Sequence, residues 1–113
     1  MNPTALALLA HADALLSGRA RVESGNSGRL AAFLGRHAVE ILIVDRCEEL
    51  GAPCPGGTAR SKISILKSLD HDDVGPTLIY AWNRLSECCH QHAYELSPTV
   101  SEVRALCASV LCD

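Results

Sequence analysis

Apolar residues recur along this chain at steps of three and four, and the rhythm breaks wherever glycine and proline gather. Such spacing puts apolar side chains on one side of an α-helix. Asn2 can cap a first helix with Pro3 in its opening turn. Leu6, Leu9, Leu15 and Leu16 mark its apolar side and Gly18 ends it. RARVESGNSG, 19–28, reads as a loop. A second helix is predicted from about Ser27 to Leu50, stopping at Gly51. Leu30, Phe33, Leu34, Ala38, Ile41 and Leu42 form its expected apolar face, with Arg36, Glu40 and Glu48 elsewhere. At 1.5 Å per residue it is about 35 Å long, the expected spine of the fold. Its run Ile41-Leu42-Ile43-Val44 is β-branched, but the helical period continues on both sides, which argues against a strand.

GAPCPGGTAR, 51–60, is a turn-rich linker. A short helix is predicted at 61–69, with Ile63, Leu66 and Leu69 inward and Lys62 and Lys67 outward. HDDVG interrupts the chain again. Pro76 is expected to open the next helix, which runs to Tyr94 or Leu96 with Leu78, Ile79, Trp82, Leu85 and Cys89 apolar. Thr99 followed by Glu102 matches a capping box for a last helix carrying Val103, Leu106, Cys107 and Val110. The sequence holds no strand pair, internal repeat or low-complexity tract. The expected fold is all-α, an antiparallel bundle of four major helices plus one short helix, in one domain spanning 1–113.

Charge and cysteine content narrow the setting. With 113 residues and a formal net charge of −3, the chain has no long basic run. Broad non-specific binding to duplex nucleic acid is therefore not expected, although Arg60, Lys62 and Lys67 could form a local basic patch. Six cysteines, Cys47, Cys54, Cys88, Cys89, Cys107 and Cys112, could suggest three disulfides. Four of them fall at apolar helix positions, where free cysteine behaves as a small hydrophobe. Adjacent Cys88 and Cys89 point about 100° apart on a helix and are not expected to pair. The apolar N-terminal segment lacks a basic lead and is broken by His11 and Asp13, unlike a signal peptide. No apolar stretch approaches membrane-spanning length. The expected location is a reducing cytoplasm, with no membrane contact.

WNRLSECCHQHAYEL, 82–96, concentrates the reactive side chains. Arg84, Cys88 and His92 are spaced by four and form one ladder on a helix; Glu87, His90 and Tyr94 form another. Cys88 and His92 have metal-ligand spacing, and Glu87-x-x-His90 is one quarter of a di-iron pattern, but no second Glu-x-x-His follows. Cys88 beside His92 could also make a thiolate–imidazolium pair, though a mid-helix cysteine has no ready oxyanion hole. A third possibility is phosphodiester cleavage: Arg84 holds the phosphate while His90 or His92 exchanges protons, and RNA supplies its own 2′-hydroxyl nucleophile. That chemistry needs no cofactor. One arginine and one histidine make a thin site, which two copies facing across a two-fold axis would complete. A solvated helix face with a histidine near its C-terminal end accounts for the same residues without a site.

RLAAFLGRHAVEILIV, 29–44, resembles the long early helix of the HEPN superfamily, small helical proteins of prokaryotic defence and toxin–antitoxin systems. RLSECCH, 84–90, resembles that family's arginine, four to six residues, then histidine. HAY, 92–94, is similar to the histidine-x-tyrosine ending of members controlled by a nucleotidyltransferase. The resemblance follows helix order over about residues 4–111. It implies a homodimer that cleaves single-stranded RNA without metal at the cleft between subunits. Arg84 would bind phosphate, His90 or His92 would act in catalysis, and Tyr94 would be the modifiable tyrosine; on the helix ladders, Glu87 and Cys88 are the expected supporting residues. A nucleotidyltransferase or antitoxin would be a separate partner chain. Active members usually carry a polar residue directly after the arginine, and here that position is Leu85. The family also contains inactive members that only dimerise or bind a partner. Two alternatives therefore stand beside the ribonuclease: a non-catalytic interaction module and a small metal-binding bundle.

Overall fold

A computed structural model describes residues 2–18, 27–89 and 100–111. Within them the chain forms five α-helices and no strand: α1 Pro3–Leu16, α2 Ser27–Glu49, α3 Ala59–Leu69, α4 Val74–Cys89 and α5 Val100–Leu111. The all-helical class and the helix order agree with the sequence pattern.

Local chemistry sets the ends. The Asn2 side chain accepts from the backbone N–H of Thr4 at 2.8 Å and of Ala5 at 3.3 Å, with Pro3 following where no N–H is needed. Gly51 takes φ +78° just beyond α2, a left-handed value that an L side chain would strain. The third helix begins two residues before the predicted start, because Thr58 Oγ1 accepts from the Ser61 N–H at 3.1 Å and caps it. The fourth also begins two residues early. Asp73 O accepts from the Thr77 N–H, which leaves Pro76 in the first turn, where its missing donor is harmless.

The second helix touches all four others and is the spine of the bundle. Its buried stripe is Ala31, Ala32, Gly35, Ala38, Val39, Ile43 and Cys47. Leu30, Leu34, Ile41 and Leu42 flank it partly covered, and Phe33 is exposed. The expected apolar face is thus rotated toward smaller residues. A spine surrounded by neighbours packs over small side chains, so the partner helices can approach closely. Gly35 is the clearest case: a Cβ there would lie 2.9 Å from Cys107 Sγ on α5 and 3.5 Å from Leu85 Cδ1 on α4.

Leu9, Leu15 and Leu16 of α1, Ile63 and Leu66 of α3, and Leu78, Trp82 and Leu85 of α4 complete the core with Val103, Leu106 and Val110 of α5. Leu6 and Leu69, expected to face inward, are 44% and 45% exposed. Cys47, Cys54, Cys88, Cys89 and Cys107 are all free thiols, and all but Cys54 are buried. No described helix is long and apolar enough to cross a membrane.

An ionic knot ties the α3–α4 junction to the spine. Arg46 donates from Nε and Nη2 to the two oxygens of Asp70 at 2.8 and 3.0 Å, and also reaches Asp72 at 3.2 Å and Glu49 at 3.0 Å. The Asp70 side chain is fully covered. Its Oδ1 also accepts from the Asp72 N–H at 3.1 Å. Gly75 lies against it so closely that a Cβ would meet Asp70 Oδ2 at 2.8 Å. Hydrogen bonding to Arg46 holds the Asp70 carboxyl below the ordinary carboxylate range, against the opposing effect of burial.

Candidate functional site

The C-terminal half of α4 carries the part of the reactive stretch that the structure describes. An unbroken helical period from Leu78 through Leu85 buries one side of α4 against α2 and leaves the other to polar residues. Leu85 is fully buried beside Gly35. The residue after Arg84 is therefore a core anchor.

Arg84 lies one step around the helix, with its side chain 40% exposed. One guanidinium nitrogen, Nη1, donates to Glu87 on the same helix, and the other, Nη2, donates to Glu102 on α5. The arginine bridges two helices and holds a carboxylate on each arm. These contacts raise its pKa, with the Glu102 hydrogen bond as the main cause and the charge of Glu87 next. Glu102, expected to serve a capping box with Thr99, thus directs its carboxylate to Arg84; Thr99 lies outside the described residues.

Cys88 does not share the polar stripe drawn through Arg84. It is buried with the core, 3% exposed, and burial pushes its thiol pKa up, with Glu102 adding to the effect. Cys89 is buried as well, and burial pushes its thiol pKa up. Neither is an activated nucleophile, since nucleophilic cysteine chemistry needs a lowered pKa. Glu87 is exposed and engaged with Arg84. His90, His92 and Tyr94 lie outside the described residues. Among the described residues, no group of three or more His, Cys, Asp or Glu side chains is placed to hold a metal ion.

No family model, curated protein or solved structure matches this chain.

Sequence reasoning missed two further polar clusters. The Arg46–Asp70 knot joins residues 24 apart in sequence, and its only local signal was an aspartate opening the turn at 70–73. The second surrounds Trp82, whose indole N–H donates to Glu40 at 3.1 Å while Arg36 lies 3.8 Å from the same carboxylate. Arg60, from the expected basic patch, stacks over the Trp82 ring at 5.7 Å. Lys62 is drawn away to Gly57 O at 2.8 Å, so the patch is reduced to Arg60 and Lys67.

Proposed function

We propose that this chain is a non-catalytic helical interaction module, built on a HEPN-like plan and self-pairing, that works in a reducing cytoplasm. The observation that carries this reading is the engagement of both terminal nitrogens of Arg84 by Glu87 and Glu102. A phosphate entering this position meets a guanidinium already neutralised by two carboxylates, and competes with them for its charge. Leu85, buried where active relatives of the proposed family carry a polar group, adds to it.

Two further features support the reading. The cysteines described are free, as a reducing setting requires. A shallow apolar groove between α1 and α5 has half-exposed Leu6 and Leu111 in its lining. Arg104 and Asp13, 3.3 Å apart, also line it; one charge of each sign allows the same patch to pair with itself across a two-fold axis.

One observation favours the ribonuclease as a second reading: Arg84 keeps 40% of its side chain exposed and stands six residues before His90, the family spacing. The two are separated by incubating single-stranded RNA with concentrated protein in EDTA. The interaction module leaves the RNA intact while light scattering reports a dimer. EDTA-resistant cleavage that disappears in Arg84→Ala restores the enzyme.

A further inference from the structure

A surface cleft lies away from Arg84, between the C-terminal half of α2, the start of α4 and the end of α5. It has a volume of about 690 Å³. Leu42, Val74, Leu78 and Val110 give it apolar walls, and Asn2, Asp45, Arg46, Glu48 and Glu49 give it polar ones.

The charge on its walls is one-sided. Arg46 is the only cation lining it among the described residues, and that guanidinium is taken up by Asp70, Asp72 and Glu49. Those three carboxylates already outnumber its single positive charge. Among the described residues Asp45 accepts only from the neutral amide of Asn2, at 3.2 Å, and no cation pairs with it. Glu48 is exposed and has no partner among the described residues. The cleft therefore combines an apolar surface with uncompensated negative charge.

We infer that this cleft docks a basic, amphipathic segment of a partner protein, through apolar side chains on Leu42, Leu78 and Val110 and a lysine or arginine against Glu48 and Asp45. The inference rests on the interaction-module reading and gives its partner a chemistry. Long basic side chains suit such a place because their methylene stems cover apolar surface while the charged head meets the carboxylates. A small polyamine would satisfy the charges and leave the apolar walls uncovered. Nucleic acid is repelled from this face by the same carboxylates.

The test uses the whole chain and a synthetic amphipathic Lys/Leu peptide of about fourteen residues, four helical turns. Its controls are a Glu/Leu counterpart and spermidine. Binding is followed by NMR, with methyl shifts mapping the site. The expected result is saturable binding of the Lys/Leu peptide, with shifts at the Leu42, Leu78 and Val110 methyls. Glu48→Lys should weaken it about tenfold, as expected when a charge at an interface is reversed. Ser64→Lys, which puts a positive charge on the exposed side of α3 outside the cleft, should leave it unaltered. An unchanged circular dichroism spectrum keeps folding out of the comparison. Shifts mapping elsewhere, indifference to Glu48→Lys, or spermidine binding as tightly as the peptide overturns the inference. So does absence of binding to the wild-type chain. None of these outcomes bears on RNA cleavage or dimer formation, which test the broader reading separately.

Discussion

Two arginines in this protein join helices through carboxylates, and they do so in different surroundings. Arg46 is 17% exposed and its main partner, Asp70, is fully covered. Arg84 is 40% exposed, with Glu87 at 65% and Glu102 at 33%. The first pair is backed by Gly75 and by a backbone N–H, so the carboxylate has no water to fall back on when its partner is removed. The second faces solvent, where water and salt replace much of what either partner provides. The same chemical pairing is therefore architectural at the α3–α4 junction and adjustable at the α4–α5 seam. The adjustable one is the residue that the family resemblance marks as functional.

Substitutions can break this contrast. The largest effect is expected beside Arg84 rather than at it: Leu85→Ala removes a fully buried side chain from the contact with Gly35 and should cost about 3 kcal/mol in urea unfolding. Asp70→Ala should cost about 2–3 kcal/mol, because it takes the one fully covered partner from the Arg46 guanidinium and releases the turn before α4. Acid gives the same comparison without mutation. The folded Asp70 pKa lies below its unfolded value, so its stabilisation is complete above about pH 4 and is lost as pH falls through the folded value. Asp70→Asn should flatten that part of the stability–pH curve.

Alkali probes the buried thiols. Burial raises the pKa of Cys47, Cys88 and Cys89, and that of Cys107 to about 11. Their contribution is intact below the unfolded thiol pKa, about 8.5, and declines as pH rises toward the folded values. Stability should fall over this range, and at neutral pH a thiol reagent should label the half-buried Cys54 before the four buried cysteines. The smallest effect is expected for Arg84→Ala, with a folded spectrum and only a slight shift of the unfolding midpoint. A loss as large as that of Asp70→Ala would erase the distinction between the two arginines.

Much of the fold was legible because it is local. Asn2-Pro3, Gly51 and the three- and four-residue apolar steps act within one or two turns, and the helices they predict are present. The inward face of α2 was less legible. Periodicity favours the large residues Leu30, Phe33 and Leu34, while tertiary packing chose Ala31, Ala32 and Gly35 to let helices approach. The site was the hardest part to read. Spacing placed Arg84 and Cys88 on one ladder, yet a four-residue step on a partly buried helix carries one residue to solvent and the next into the core. Glu102 was assigned to its own helix end because nothing local ties it to a residue 18 positions earlier.

The central claim is that Arg84 serves as a bridge between helices. Its guanidinium Nε–H resonance can be followed by NMR while a single-stranded oligonucleotide with 2′-O-methyl groups, which blocks cleavage, is titrated into the whole protein. The account predicts an Arg84 signal that stays in place and shifts only when Glu102→Gln loosens the pair. A saturable shift of that signal in the wild-type protein, absent from a scrambled polyanion control, would contradict it.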